Sequence, residues 1–404
     1  MAHDPRSYPW LTIVGLGEDG FAGLSPAGRA AVQSADVVFG AERHLQVMGE
    51  IDAECQTWPV PFADGISRLL ALRGRRVVML ASGDPFWYGA GSVVAQHIER
   101  QEWQAVPALS VFSLAAARLG WPLQSTPCLG LHAAPMTRLR PVIVPGQRAI
   151  VLLRDRAAVG DLAGYLSAED FGATRMHLLE ALGGPRERVR SAEAATFDLA
   201  DVAHPVAVGL AFAGTGEVLA STSGRADALF EHDGQLTKRP IRALTLSALA
   251  PRAGEHLWDI GAGSGSIGIE WLLAHPQCSA EAIEANPQRA ARARANATRL
   301  GVDRLQVIDG DAPAAISQLE RQPDAVFIGG GLSQALLDAV WERVDGGCRI
   351  VANAVTLESE ALVADWHVRV GGALSRIELS EAAPIGRRRG WQASYPIVQW
   401  SVTR

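Results

Sequence analysis

Two hydrophobic patterns alternate along this 404-residue chain: short apolar runs and stretches with a helical period. They follow one another from Trp10 to about Phe212, and again from about Lys238 to the end. The segment between them is weakly periodic and contains Ala213-Gly-Thr-Gly and Ser221-Thr-Ser-Gly. Because alternating strands and helices predict α/β domains, we expect one domain over 1–212, a linker over 213–236 and a second domain over 237–404.

The pattern of the second domain resolves into single elements. A helix over Arg239–Leu249 precedes a strand that ends at Asp259, and another helix covers Ser266–Leu273. The later predicted strands are Ala280–Glu284, Leu305–Ile308, Ala325–Ile328 and Arg349–Asn353, then two long strands, Asp365–Leu379 and Trp391–Val402, around a turn at Pro384–Gly390. Five parallel strands closed by an antiparallel pair form a doubly wound α/β sheet.

The turn after the strand that ends at Asp259 carries the strongest chemical signal. Asp259 precedes Gly261, Gly263 and Gly265, and Glu284 ends the next strand, where a ribose diol is expected. The turn also matches the dinucleotide fingerprint G-x-G-x-x-G. Asp259 would repel a pyrophosphate at the helix N-terminus, whereas the ammonium and sulfonium groups of S-adenosylmethionine suit a carboxylate. We therefore interpret the segment as an S-adenosylmethionine site flanked by both acids.

The first domain contains a second match to the dinucleotide fingerprint, Gly15-Leu-Gly17-Glu-Asp-Gly20, after a strand over Trp10–Val14. The next helix starts only at Ser25-Pro26, an N-cap followed by a first-turn proline. Asp36 begins the strand Asp36–Phe39 instead of ending it, which is the wrong edge for a ribose. We therefore interpret this fingerprint as a false positive.

Composition narrows the functional classes. Hydrophobic residues make up 48% of the chain and the net charge is −6, which disfavours a nucleic-acid surface. The four cysteines lack C-x-x-C spacing and the ten histidines lack H-x-x-x-H spacing, so no metal site is predicted. The N-terminus does not read as a signal peptide and no apolar run is long enough for a bilayer. We expect a cytoplasmic protein that binds neither nucleic acid nor membrane.

Several segments together resemble known methyltransferase families. Similarity to the tetrapyrrole (corrin/porphyrin) methylase family is seen at Val14–Gly17, Ser82-Gly-Asp-Pro85, Pro107–Ser113 and Glu180–Val189. Similarity to a class I methyltransferase of the same pathway is seen at Leu236–Ser247, the glycine turn and Val351–Glu358. Their fusion resembles the precorrin-6Y methyltransferase (decarboxylating) family of cobalamin biosynthesis. The resemblance implies a two-lobed class III methylase domain followed by a Rossmann-like class I domain.

That family resemblance also implies a reaction. Members methylate carbons 5 and 15 of the macrocycle and decarboxylate the ring C acetate, which gives precorrin-8X. The first domain would methylate carbon 5, and the second would methylate carbon 15 and decarboxylate. The resemblance further implies two S-adenosylmethionine sites, a tetrapyrrole substrate and self-association through the second domain, as a tetramer.

The family resemblance also implies which residues contact the methyl donor, and these residues lie at or near strand ends. In the second domain they are Thr237, Gly261, Gly263, Gly265, Glu284, Asp311 and Ala312, and in the first domain Gly15, Gly17, Gly83, Asp84, Pro85 and Ser110. The chain departs from many tetrapyrrole methylases at two places, with Glu18 and Asp19 where a proline is common and Ala108 where a glycine is common.

Methyl transfer to an electron-rich ring needs alignment and exclusion of water more than acid–base groups. We therefore predict neither a catalytic triad nor a catalytic metal. The substrate carboxylates need cations, and the candidates are Arg387, Arg388 and Arg389 beside Trp391, with Lys238 and Arg239 as weaker ones. Asn353 at a strand end is a candidate hydrogen-bond partner of the substrate. An alternative interpretation fits equally well: the three arginines belong to a solvated loop, and Asn353 is a turn residue.

Three other functions stay open on the sequence. A pyridine-nucleotide oxidoreductase is favoured by the two fingerprints. A nucleic-acid base methyltransferase is disfavoured, because the chain has Ile328-Gly-Gly-Gly331 where amide-type base methylases carry Asn/Asp-Pro-Pro-aromatic. A donor-binding scaffold without activity is the third.

Overall fold

The computed structural model describes residues 9–404, which fold as two compact units. The first unit extends to Met136 and from Val142 to Glu217, and the second comprises Thr137–Pro141 and Val218–Arg404. No helix within residues 9–404 is both long and apolar enough to cross a bilayer.

The first unit contains two five-stranded sheets. Its strands are β1 (Leu11–Leu16), β2 (Val37–Gly40), β3 (Glu54–Thr57), β4 (Val77–Ser82), β5 (Trp103–Val106), β6 (Cys128–Gly130), β7 (Arg148–Leu153), β8 (Arg175–Glu180), β9 (Arg188–Glu193) and β10 (Val206–Ala211). Its helices are α1 (Gly20–Gly23), α2 (Pro26–Ser34), α3 (Glu42–Met48), α4 (Asp64–Leu70), α5 (Ala90–Val94), α6 (Val111–Leu119) and α7 (Arg156–Ala168). The parallel first sheet has the order β3-β2-β4-β1-β5, and the largely antiparallel second sheet has β6-β7-β10-β8-β9. These two sheets are the two lobes that the resemblance implied.

The structure supports the interpretation of the first fingerprint as false. Ser25 caps α2 by accepting a hydrogen bond from the Gly28 amide at 3.2 Å. Asp36 precedes β2 and pairs with Arg76, Oδ1 to Nη2 at 2.6 Å, so its carboxylate is used inside the fold. One detail differs from the prediction: the single-turn helix α1 lies between the glycines and α2.

The second unit contains one large sheet and a hairpin. Its strands are β11 (His256–Ile260), β12 (Ser279–Glu284), β13 (Gln306–Asp309), β14 (Ala325–Ile328), β15 (Arg349–Ala354), β16 (Ala373–Ile377), β17 (Ser380–Ile385), β18 (Arg388–Ala393) and β19 (Ile397–Thr403). Its helices are α8 (Arg239–Leu249), α9 (Ser266–Ala274), α10 (Pro287–Arg299), α11 (Ala312–Ala315), α12 (Gln334–Arg343) and α13 (Leu357–Val370).

The large sheet has the order β13-β12-β11-β14-β15-β19-β16; its first five strands are parallel, β19 is antiparallel to β15, and β16 is antiparallel to β19. This confirms the doubly wound α/β prediction. The strand order reverses between β11 and β14, and ligands of open α/β sheets bind where the carboxyl ends of the strands meet such a switch point. The glycine turn after β11 lies there.

The prediction for residues 365–379 was wrong in its first half. Asp365 lies in helix α13, and the strand β16 begins only at Ala373. The helix is favoured by a capping box, in which the Thr356 hydroxyl accepts from the Ser359 amide at 3.3 Å. The second predicted strand divides into β18, in a separate hairpin with β17, and β19 in the sheet.

The segment before α8 packs within the second unit. Leu219, Leu229 and Phe230 are buried in a core cluster with residues of α8 and α9. A buried ionic cluster reinforces this packing: Arg242 Nε donates to Glu270 Oε1 at 2.6 Å, and the Arg225 amide donates to the same oxygen at 3.0 Å. The predicted limits of the domains and the linker stay a prediction.

Candidate active site

The glycine turn of the second unit joins β11 to α9. Gly261, Gly263 and Gly265 have φ values of +70°, +58° and +77°, a left-handed conformation that favours glycine. A Cβ on Gly261 would lie 2.6 Å from the Gly330 amide nitrogen, so this position also needs glycine for close packing. At Gly263 the nearest atom would be the Gln235 carbonyl oxygen at 3.8 Å. The middle of the turn therefore faces open space.

That open space is part of a cavity of about 410 Å³ at the switch point. The predicted residues on its wall are Thr237, Lys238, Gly261, Gly263, Glu284, Asp311, Ala312 and Asn353. The cavity is also lined by Arg289, Tyr395 and the run Gly329–Gly331, which no sequence pattern predicted for the site. Arg289 lies on α10 and pairs with Asp233, Nε to Oδ2 at 2.7 Å, so α10 contributes to the wall.

Glu284 is held in one orientation by backbone amides. Its Oε2 accepts from Gly263 at 2.8 Å and its Oε1 accepts from Asn286 at 2.9 Å. The side chain is 7% exposed and still lines the cavity. Each carboxylate oxygen keeps a second acceptor site, so Glu284 has the chemistry needed to receive the hydroxyl groups of a ribose.

Asp259 does not lie on the cavity wall, so its predicted place beside the ligand needs correction. It is 1% exposed, and its Oδ2 accepts from the Gly268 amide in α9 at 2.8 Å. Burial raises the pKa of Asp259 to about 7, the Gly268 hydrogen bond opposes that rise, and the charge of Glu284 adds to it. Gly265 is also absent from the wall; a Cβ there would lie 3.0 Å from the Ala293 Cβ, and the turn packs on α10.

Asn353 reaches the cavity from β15 within a polar network. Its Nδ2 donates to Thr245 Oγ1 at 2.9 Å, and its Oδ1 accepts from Gln399 Nε2 at 2.9 Å. Gln399 also donates to Thr245 at 3.2 Å. The network fixes the Asn353 amide, so Asn353 is not a turn residue. Thr245 and Gln399 lie far apart in sequence and were missed, since only the sheet brings them together.

The three arginines and the tryptophan that were predicted to bind the substrate carboxylates do not line the cavity. Arg387, Arg388, Arg389 and Trp391 lie in the β17–β18 hairpin, and Trp391 is 79% exposed. The wall on this side is formed by residues around the base of the hairpin: Ile377, Leu379, Ser394, Tyr395 and Ile397. Of the predicted cations, Lys238 lines the cavity and Arg239 does not.

The first unit has a cavity of about 360 Å³, lined by both of its sheets. Gly17 and Gly83 lie on the wall, whereas Gly15, Asp84, Pro85 and Ser110 lie outside it. A Cβ on Gly15 would overlap the Gly83 carbonyl oxygen and the Ala108 amide nitrogen, so Gly15 allows β1 to pack against the loops after β4 and β5.

Two of the predicted polar contacts of the first unit are used within the fold. Asp84 Oδ1 accepts from the Phe86 amide at 2.9 Å, which makes a local turn. Ser110 Oγ caps α6 by accepting from the Ser113 amide at 3.1 Å. Pro85 is buried beside Gly91. These three residues therefore shape the loops behind the wall.

Charged side chains surround this first-unit cavity. Glu18 forms ion pairs with Arg43 and, at 3.3 Å, with Arg186. Glu18 and Arg43 line the cavity, and Arg186 does not. Arg43 Nη2 donates to Ser82 Oγ at 2.9 Å, and His44 Nε2 lies 2.8 Å from the same hydroxyl. Burial and the Arg43 charge lower the pKa of His44 to about 4, so it is neutral at pH 7.

Comparisons with known proteins cover both units. A family model described as "Precorrin methyltransferase domain" matches residues 228–404, and one described as "Tetrapyrrole (Corrin/Porphyrin) Methylases" matches residues 10–198. A relative from Sinorhizobium sp, named precorrin-6Y C(5,15)-methyltransferase [decarboxylating], is 49% identical over 98% of this chain and 97% of its own length.

Two further relatives extend the comparison. One from Mycobacterium tuberculosis with the same name is 38% identical over 98% of this chain and 100% of its own length. One from Saccharolobus solfataricus, named probable cobalt-precorrin-6B C(15)-methyltransferase (decarboxylating), is 38% identical over 34% of this chain and 71% of its own length. By its full-length similarity to the first two, this chain belongs to the precorrin-6Y C(5,15)-methyltransferase (decarboxylating) family.

Proposed function

We propose that the protein transfers two methyl groups from S-adenosylmethionine to precorrin-6Y, at carbons 5 and 15, and removes carbon dioxide from the ring C acetate. Use of S-adenosylmethionine follows from membership of a methyltransferase family. The observation that carries the two-site proposal is that each unit has its own cavity beside a glycine-containing strand-end turn. The full-length relatives carry the C(5,15) and decarboxylating names.

The residues of the second-unit cavity fit the donor. Glu284 offers carboxylate acceptors for a ribose, and Gly263 leaves the turn open at the point where a ligand can approach. Asp311 and Ala312, after β13, lie on the same wall for the adenine. Asp259, protonated in part near pH 7, accepts a hydrogen bond from the Gly268 amide and so stabilises the turn, instead of pairing with the sulfonium.

We assign carbon 15 methylation and decarboxylation to the second unit and carbon 5 methylation to the first. The Saccharolobus relative, which aligns over about a third of the chain, carries only the C(15) and decarboxylating name. The family model over 228–404 has the description of a precorrin methyltransferase domain. These two observations support the assignment.

The protein's part in the chemistry is placement. In-line displacement at the donor methyl needs the reacting carbon aligned and water excluded. In the second unit the fixed amide of Asn353 is suited to orient a polar substituent of the ring, and Lys238 to meet a carboxylate. Decarboxylation leaves an electron pair that the conjugated macrocycle accepts, and a proton then completes the methyl group.

Mass spectrometry tests the function directly. Incubation with precorrin-6Y and donor labelled in the methyl group should give a product with two labelled methyl groups and one carbon dioxide fewer. Equilibrium dialysis of the labelled donor should give two sites per chain. A product with no added methyl, together with tight NADPH binding, would instead establish an oxidoreductase.

We also propose self-association through the second unit. Several large apolar side chains of this unit are exposed, among them Leu357 (80%), Trp391 (79%) and Tyr395 (84%). Light scattering should give a mass above that of one chain, a tetramer on our proposal, and Trp391→Asp should reduce it. An unchanged monomeric mass for the wild-type protein would exclude this proposal.

A further inference from the structure

His204 shares the first-unit cavity with two predicted donor contacts. Gly17 and Gly83 reach the wall from the ends of β1 and β4 in the first sheet, and His204 reaches it just before β10 in the second sheet. Donor glycines and an imidazole thus approach one space from different sheets. A planar ring seated in this space would meet both.

Apart from His132, the other titratable groups on the wall are engaged or permanently charged. Glu18 pairs with Arg43 and Arg186, and the Tyr88 hydroxyl donates to the Cys128 carbonyl oxygen at 3.1 Å. No hydrogen bond to the His204 ring occurs within residues 9–404. The remaining histidine of the wall is His132.

The backbone that leads to His204 is fixed by a buried carboxylate. Glu180, 0% exposed, accepts from the Ala203 amide at 2.9 Å, next to His204 in the chain. The same carboxylate binds Arg188 and Arg190, at 2.6 and 2.9 Å. Glu180 and Arg188 belong to the segment Glu180–Val189 that carried part of the family resemblance, and this network gives that segment a physical role.

Asp201 closes the network from the other side. Its two oxygens accept from Arg188 Nη1 at 2.8 Å and from Arg190 Nη1 at 2.6 Å. The residues on the N-terminal side of His204 are thereby held at the side chain of Asp201 and at the backbone of Ala203. A ring carried by such a segment loses little conformational freedom when it acts on a substrate.

Methylation of a ring carbon that carries hydrogen releases a proton. The methyl group leaves the donor sulfur as a new carbon–carbon bond forms, the donor becomes a thioether, and the carbon–hydrogen bond then breaks. Its electron pair restores the conjugation of the ring, and the proton needs an acceptor. We propose that His204 is the general base that takes this proton, an assignment that rests on the proposed carbon 5 methylation in the first unit.

The electrostatic surroundings favour the free base. Partial burial lowers the pKa of His204 below its ordinary value of 6.5, and Arg43 lowers it further; Glu18 and Asp155 act in the opposite sense, and Arg186 again lowers it. The imidazole is therefore neutral at pH 7 and able to accept a proton. The rate of carbon 5 methylation should fall as the pH drops through this lowered pKa.

The test uses the full-length protein and scores the two methyl groups separately by fragmentation mass spectrometry. His204→Asn should lower kcat for carbon 5 methylation by about 100-fold or more, leave carbon 15 methylation and decarboxylation in place, and leave donor affinity within about twofold. Added imidazole should restore part of the rate to His204→Ala. The acid limb of the pH profile should disappear in the variant.

Two matched variants separate the possible outcomes. His97→Asn changes an exposed histidine of the same unit that does not line the cavity, and should behave as wild type. Loss of carbon 5 methylation in His132→Asn but not in His204→Asn would overturn the assignment, as would loss of donor binding in His204→Asn. A wild-type protein that adds no methyl group to precorrin-6Y would contradict the proposed function itself.

Discussion

The two glycine turns share a spacing but differ in what fills the space beside them. In the first unit a side chain at Gly15 would collide with the backbone of two neighbouring loops, although its φ is not positive. In the second unit Gly263 has a positive φ and almost nothing next to it. Gly15 thus serves close packing of protein on protein, whereas Gly263 keeps its turn open to a ligand.

This difference explains why the fingerprint alone misleads. Glycine is needed for its missing volume at Gly15 and for its backbone conformation at Gly263. Only the second use predicts a ligand at the turn itself. The acid that follows separates them too, because Asp36 is paired with Arg76 whereas Glu284 faces a cavity.

The largest effect is expected for Gly15→Ala. The new Cβ must push the Gly83 and Ala108 loops apart, and we expect the first unit to lose about 3 kcal/mol of unfolding free energy, along with carbon 5 methylation. Thermal unfolding followed by calorimetry measures this. Gly160→Ala is the control: its Cβ meets open space within α7, and it should stabilise by about 0.5 kcal/mol. If Gly15→Ala were as stable as the wild-type protein, Gly15 would not be needed for close packing and the contrast with Gly263 would fail.

Glu284→Ala should act on the second unit alone. Losing the carboxylate leaves the Gly263 and Asn286 amides without their acceptor and removes the ribose acceptor, for a loss of about 2–3 kcal/mol in donor binding, or roughly 100-fold. Carbon 15 methylation and decarboxylation should fall together while carbon 5 methylation persists. Asp338→Ala, which removes a partly exposed carboxylate on α12 outside the cavity, serves as control. Loss of the carbon 5 methyl in Glu284→Ala would reverse the assignment of the units.

A smaller, pH-dependent effect is expected for Asp259. Its pKa of about 7 in the folded protein lies above the ordinary 3.8, so the folded state retains its proton longer than the unfolded chain. Its contribution to stability is fully present below pH 3.8 and is lost as the pH rises through 7. Asp259→Asn should therefore gain about 2 kcal/mol relative to wild type between pH 5 and pH 8. Denaturant unfolding at both pH values measures the difference, and a constant difference would mean that Asp259 is ionised throughout.

Gly263→Ala should give the smallest change. The left-handed φ costs about 1 kcal/mol for alanine, with no steric collision to add to it. The methyl group points into open space at the turn, so we expect donor affinity to fall by roughly tenfold at the second site only. Isothermal titration calorimetry resolves the two sites. A stability loss as large as that of Gly15→Ala would show that both turns are packed alike.

Much of the second unit follows from the sequence, because its buried parallel strands are continuous apolar runs between turns. Thr237, Gly263 and Glu284 were assigned to the site from motif and resemblance, and all three lie on the cavity wall. Asp259 shows the limit: its position at a strand end was predictable, but not that the Gly268 amide would draw its side chain beneath the turn.

The missed features depend on contacts between distant residues. Thr245, Asn353 and Gln399 meet only after α8, β15 and β19 assemble. Helix α13 was a different kind of error, since Thr356 and Ser359 form a cap that was visible in the sequence. The apolar residues after it were assigned to a strand instead.

The buried cluster around Glu270 has a practical consequence for separating the two activities. Arg242 in this cluster also donates to the Thr237 carbonyl oxygen at the edge of the donor cavity, and the Arg225 amide donates to Glu270 at 3.0 Å. A fragment trimmed to begin at residue 237 would keep Arg242 but would remove the Gly224 and Arg225 amides and the Arg225 guanidinium from Glu270, so a buried carboxylate would lose three of its hydrogen bonds. An excised second unit with an intact methyl-donor wall should therefore begin upstream of Leu219.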